Sequence, residues 1–156
     1  MTDALQALIS ALLLATTPVQ TCEVSHCHDG DTCTLICQGE KTKVRLHCID
    51  APEMGQGRWG RESRDVLRNR LPKGSTVELQ RRDKDKYGRV VGVLIENQVN
   101  INLQMVYSGW AASYPQYCQE LDYVQAQQDA KENKRGIWRT NGLQQRPWVW
   151  RKSQER

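Results

Sequence analysis

A chain of 156 residues, 38% of them hydrophobic, can bury a real core and has room for one domain but little for a second. With 22 Lys and Arg against 18 Asp and Glu, the formal net charge is +4, a basic excess that suits a polyanionic partner without assigning one. The apolar run from Ala4 to Ala15 is shorter than the ~20 residues a membrane helix needs, so no membrane span is expected.

Residues 1–21 read as a secretory leader, since an apolar stretch is followed by small and polar residues. The alternative is a short N-terminal arm. Six cysteines (Cys22, Cys27, Cys33, Cys37, Cys48 and Cys118) are an even set, dense just after that leader. They read as disulfides formed in an oxidising compartment, so a secreted or periplasmic location is expected. His26, His28 and His47 lie near these cysteines, but the two-residue Cys spacing of common zinc sites is absent.

Asp29-Gly30 is a two-residue hairpin signal between residues 22–28 and 31–37. If that pair forms the turn, Cys22 stands opposite Cys37 and a cross-strand bridge is expected. Gln38-Gly39-Glu40 is a second turn, and a third strand runs from Thr42 to Cys48 or Ile49. The first half is therefore a three-stranded meander. Residues 54–60 form a glycine-rich loop. A helix is expected over Arg61–Leu71, with Val66, Leu67 and Leu71 inward and Arg61, Arg64 and Arg68 on one basic face. Thr76–Gln80 reads as a fourth strand, Arg81–Gly88 as a charged loop and Arg89–Ile95 as a fifth strand. A short helix over Asn102–Ser108 stops at Gly109, and a longer one over Glu120–Arg135 stops at Gly136, with Leu121 and Val124 inward. Ile137-Trp138 packs back on the core, and residues 141–156 form a basic tail holding Trp148 and Trp150. The pattern is α+β: a five-stranded Greek-key barrel of the oligonucleotide-binding type, with the domain over residues 22–140.

The stretch Lys43–Glu53 (KVRLHCIDAPE) concentrates the candidate chemistry. Asp50 and Glu53 flank Pro52, and Asp31 follows the first hairpin turn. A hard cation such as calcium takes oxygen ligands, several of them anionic, and these three carboxylates plus the Ala51 carbonyl would supply them. Pro52 restricts Ala51 to extended backbone and pins that turn. Each acid has a plainer reading, since turns and helix caps favour Asp on their own account. Arg45 stands mid-strand in an apolar run, and Arg89 opens the fifth strand. A phosphodiester hydrolase needs such groups where charge builds on phosphoryl oxygens, although each arginine also reads as a surface ion pair.

Three separated blocks, HDGDTCTL at 28–35, KVRLHCIDAPE at 43–53 and DKYGRVVGVL at 85–94, resemble the staphylococcal nuclease family in order and spacing. VNINLQMVYSGWA at 99–111 and KENKRGIW at 131–138 extend the match over roughly residues 22–140. The resemblance implies a barrel of the oligonucleotide-binding type with three helices. It implies a calcium-dependent endonuclease acting on DNA and RNA with little sequence preference and leaving 3′-phosphate ends. Asp31, Asp50, the Ala51 carbonyl and Glu53 take the metal positions, and Glu53 also activates water. Arg45 grips the scissile phosphate and Arg89 stabilises the transition state. Lys86 and Tyr87 contact a terminal phosphate, and Tyr114 and Tyr117 border the base. No stable protein partner is implied, and a monomer is expected. The rival reading is a non-catalytic oligonucleotide-binding module, for which the full set of acids and arginines has no use.

Overall fold

The computed structural model describes residues 18–156; the leader expected over residues 1–21 lies outside them up to residue 17. Residues 19–21 belong to the first strand, where Thr21 pairs with Glu78. The strands are β1 (Val19–Cys27), β2 (Thr32–Cys37), β3 (Glu40–Leu46), β4 (Ile49–Asp50), β5 (Thr76–Lys84), β6 (Val90–Glu96), β7 (Val99–Asn100) and β8 (Ala112–Ser113). The helices are α1 (Arg58–Arg70), α2 (Ile101–Tyr107), α3 (Leu121–Glu132) and α4 (Pro147–Gln154). The main sheet runs β3-β2-β1-β5-β6-β7 and closes through a parallel pairing of β3 with β6. Strands β1, β2, β3, β5 and β6 thus form the five-stranded barrel of the oligonucleotide-binding type. A fourth helix, α4, joins the three expected ones and lies in the segment read as a tail.

Alternation along the strands builds the core. Val24, Leu35, Val44, Leu46, Leu79 and Leu94 are essentially inaccessible and meet inside the barrel. Helix α1 contributes Leu67 to the core, and Leu71 just beyond it is also buried. Strand β5 runs on to Lys84 through residues expected to loop, because Asp83 and Lys84 pair with Val91 and Val90 in spite of their charge. Cross-strand backbone bonds there outweigh side-chain preference.

Helix α3 departs from its expected orientation. Leu121 and Val124 are exposed, and the buried face carries Tyr123, Ala126 and Ala130. Two small alanines let α3 lie close to its neighbours, and the buried Tyr123 hydroxyl accepts a bond from Asn100 Nδ2 at 3.2 Å. Small residues at helical spacing carry a weak hydrophobic signal, so the two larger exposed side chains are misleading in the sequence.

The first hairpin also differs from the expected form. Near the chain start the register is as read, with Glu23 opposite Ile36, but a bulge between Val24 and His26 shifts it to Cys27 opposite Cys33. The turn is therefore longer than Asp29-Gly30, and Asp29 Oδ1 caps it by accepting from Asp31 N at 3.0 Å. Gly30 is needed for space, since a Cβ there would overlap the Ser63 hydroxyl and crowd Ala51.

The disulfides are Cys22–Cys37, Cys27–Cys33 and Cys48–Cys118. The first is the cross-strand bridge expected from register. Cys48–Cys118 closes a sequence separation of 70 residues, and loss of such a loop closure costs about 4 kcal/mol in the chain-entropy account. A Cys48→Ala/Cys118→Ala variant should lose stability of that order in urea unfolding. An unchanged midpoint would show that the bridge does not constrain the unfolded chain.

Candidate active site

Antiparallel register places the first acid. Thr32 pairs with Arg45 and Leu46 N donates to Asp31 O at 2.8 Å, so Asp31 sits beside the end of β3. The chain then kinks: Cys48 has a left-handed φ of 71°, and β4 begins at the next residue. Asn102 holds that kink from α2. Its side chain donates to His47 O and Gly92 O, each at 3.0 Å, and accepts from Leu94 N at 3.1 Å. Strand β4 pairs with β8, Asp50 opposite Ala112, which fixes Asp50 with no exposed surface.

Arg45 joins the acids. Its Nη2 lies 3.3 Å from Asp31 Oδ2 and 3.2 Å from Asp50 Oδ1, while Nη1 donates to Leu46 O and Ile49 O at 3.0 and 2.9 Å. Ala51 N donates to Asp31 Oδ2 at 2.6 Å, which draws the Asp50-Ala51 backbone against Asp31. Glu53 follows as the N-cap of a short 3-10 turn, Met54–Gln56. Its backbone N–H donates to Gln56 Oε1 at 2.9 Å. Gly60, in the first turn of α1, presses on the Glu53 carbonyl where no Cβ would fit. Gln56 and Gly60 of the glycine-rich segment therefore pin the Glu53 backbone at its N–H and its carbonyl.

A further residue completes the cluster. Arg151 of α4 donates from Nη1 to Asp50 Oδ1 and Glu53 Oε1, at 2.9 and 2.7 Å, and from Nη2 to Asp50 Oδ2 at 2.8 Å. Trp148, one turn earlier, stacks on Tyr114 with ring centroids 5.2 Å apart and planes 24° apart. Neither role was visible in the sequence beyond two tryptophans set among arginines. Tyr114 directly follows β8, its N–H bonding Cys48 O at 2.9 Å, and Tyr117 meets its ring edge-on at 4.9 Å.

The other arginine is placed differently. Residues 85–88 turn the β5–β6 hairpin, and Arg89 Nε bonds Asp85 Oδ2 at 2.6 Å. Its charged partner is Asp85 and none of the three site acids. Lys86 and Arg89 both sit over the exposed Tyr87 ring, at 5.1 and 5.5 Å. The β3–β6 pairing sets Arg45 beside Val91. Arg89 directly precedes β6, next to Val90, which pairs with Val44.

Excess negative charge marks the cluster. Burial pushes the Asp50 carboxyl up to about 6, against the pull of its bond from Arg151. Burial, and then the neighbouring Asp31 carboxylate, push half-buried Asp29 up to about 8. Both values lie above those of the unfolded chain, so the folded form holds extra protons between about pH 4 and 8. Stability of the cation-free protein should therefore fall as pH rises through that window. Asp29→Asn keeps the oxygen that accepts from Asp31 N and should flatten the upper half of the decline. Differential scanning calorimetry from pH 5 to pH 9 checks this; a melting temperature that rises over the range would contradict it.

The acids that Arg45 and Arg151 bridge, Asp31, Asp50 and Glu53, offer only oxygen donors. Such a set fits a hard divalent ion. Elsewhere, the ligand atoms of His47, Cys48 and Glu120 lie within 4.8 Å of one another. That group is of another kind, because the Cys48 sulfur is bonded to Cys118 and His47 Nε2 already faces Glu120 Oε1 at 2.8 Å.

Together the closed barrel and the arginine-bridged acids at its mouth describe a phosphodiesterase of the oligonucleotide-binding fold. The family model of the staphylococcal nuclease homologues matches residues 43–140, and the chain belongs to this family. It is 40% identical over 136 residues to an uncharacterised endonuclease of Haemophilus influenzae, covering 86% of this chain and 75% of that protein. It is 36% identical over 124 residues to an uncharacterised endonuclease of Escherichia coli, 79% of each chain. A micrococcal nuclease of Shigella flexneri is 32% identical over 142 residues, with 84% of this chain and 80% of that protein covered.

Proposed function

We propose that the protein is a calcium-dependent endonuclease that hydrolyses DNA and RNA with little sequence preference and leaves 3′-phosphate ends. The observation that carries this is Arg45 spanning the buried Asp31 and Asp50 at 3.3 and 3.2 Å. A module that only binds strands has no need to bury two carboxylates under one guanidinium, since burying charge is costly.

Asp31, Asp50, Glu53 and the Ala51 carbonyl would hold the ion, which when bound supplies Lewis acidity toward a phosphoryl oxygen and makes a coordinated water more acidic. Glu53 orients the attacking water or takes its proton. A new bond forms from that water to phosphorus, and the bond from phosphorus to the 5′-oxygen breaks. Arg45 and Arg89 offset the charge that gathers on the phosphoryl oxygens, and Arg89 delivers a proton to the leaving 5′-oxygen. For that task Arg89 exchanges its bond to Asp85 for one to phosphate. Lys86 and Tyr87 on the neighbouring hairpin contact a terminal phosphate. Tyr114 and Tyr117 border the base. Contacts to phosphates and to the faces of bases carry little sequence information.

The three disulfides fit an oxidising compartment, secreted or periplasmic. No helix among the described residues is long and apolar enough to cross a membrane. A monomer without a stable protein partner suffices for the chemistry. Purified protein should degrade plasmid DNA and single-stranded RNA with calcium, stop on chelation, and leave ends that a polymerase extends only after phosphatase treatment. Binding without cleavage under any cation would favour the non-catalytic module.

A further inference from the structure

Helix α4 lies beyond residues 43–140, the span that the family model matches, yet it reaches the candidate active site at three points. Arg151 takes both oxygens of Asp50 and one of Glu53. Trp150 packs its ring over Gly55, where a Cβ would meet it at 2.6 Å. Trp148 covers a face of Tyr114 at 5.2 Å. Trp148 and Arg151 are three residues apart and so share one face of the helix. That face spans the ground between the acids and the aromatic pair.

The approach is anchored from behind. Gln144 is buried, and its Nε2 donates to Thr140 O at 2.6 Å, holding the chain before the helix starts. Pro147 is buried at the first helical position, where its fixed φ and missing N–H suit a helix start. The helix is thus delivered to the site by its own local structure.

Its contacts are those that catalysis requires for other partners. A guanidinium bonded to both Asp50 oxygens uses the lone pairs that a cation would draw on. An indole stacked on Tyr114 uses a face that a base would take. Arg151 and a cation thus compete for the same carboxylate oxygens, and Trp148 and a base for the same Tyr114 face.

We propose that α4 is an autoinhibitory plug. Arg151 takes the cation's place on Asp50 and Glu53, Trp148 takes the base's place on Tyr114, and calcium and nucleic acid bind the form in which the helix has moved away. The proposal rests on the metal-nuclease reading above. Calcium then binds only the open fraction of the protein, and its apparent dissociation constant rises in inverse proportion to that fraction. A helix closed nine-tenths of the time weakens apparent binding about tenfold.

The test is calorimetric titration of calcium alone into the full chain, without nucleic acid. Arg151→Ala removes the competing guanidinium and should tighten calcium binding by about tenfold. Removing any nearby positive charge also favours a cation, so a neutral variant decides between plug and simple charge. Trp148→Ala changes no charge and touches neither Asp50 nor Glu53, yet it loosens the plug and should also tighten calcium binding several-fold. Lys152→Ala, a charge change on the exposed side of the same helix, should move the affinity least. If Trp148→Ala leaves calcium affinity unchanged, or Arg151→Ala weakens it, the plug is refuted while the nuclease reading stands. If the wild type and the variants neither bind calcium nor cleave nucleic acid with it, both readings fall.

Discussion

Glu53→Gln is expected to lower kcat by roughly 10²- to 10⁴-fold, the range that a positioned general base contributes. The substitution keeps the length and shape of the side chain, and its Oε1 can still accept from Arg151 Nη1, so the fold has no reason to change. The backbone is held independently of the carboxylate, by the Gln56 side chain and by the close seat of Gly60. What is lost is a negative oxygen able to take a proton. Glu53 has two proposed tasks, and the kinetics separate them. If it serves only as a ligand, the variant recovers when calcium is raised to saturation. If it handles the proton, the deficit remains at saturating calcium and the acid limb of the pH profile flattens. A variant as fast as wild type at ordinary calcium would remove Glu53 from the site.

The parts of the site within continuous motifs were legible because local chemistry fixes them. Arg45, Asp50 and Glu53 share one short stretch around the turn at Pro52, and the meander puts Asp31 on a neighbouring strand. Hairpin register identified Cys22–Cys37, since the bulge that shifts the first hairpin comes only after Val24. Other features depend on packing that leaves little pattern. The inward face of α3 is two alanines and a tyrosine, a weak signal beside exposed Leu121 and Val124. The extension of β5 through Lys84 depends on its partner strand. Arg151 stands about a hundred positions from Asp50 in the chain, and no local rule links them.

Arg45→Ala should damage both activity and stability, and the two losses should respond differently to pH. In the folded protein the Arg45 guanidinium serves two acids and two backbone carbonyls at once. Removing one partner of a buried ion pair costs roughly 3–5 kcal/mol, because the remaining charge is left without compensation. Here part of that cost can be avoided by protonation. Asp50 already sits at about 6 through burial, and Arg45 is among the charges that hold it down. Without Arg45 the carboxyl moves higher still, so at pH 5 Asp50 is neutral and tolerates the loss, while at pH 8 it must ionise with Arg151 alone of the two arginines beside it. The destabilisation of Arg45→Ala, measured by urea unfolding, should therefore be smaller at pH 5 and grow toward pH 8. A constant penalty across that range would mean that Arg45 stabilises through its bonds to Leu46 O and Ile49 O instead. Activity should fall by roughly 10²-fold or more at every pH, as expected when one preorganised donor to a phosphoryl oxygen is removed. Arg45→Lys restores a charge but not the planar fork that reaches two acids and two carbonyls together. It should recover part of the stability at pH 8 and little of the rate, because a point charge does not reproduce bidentate geometry.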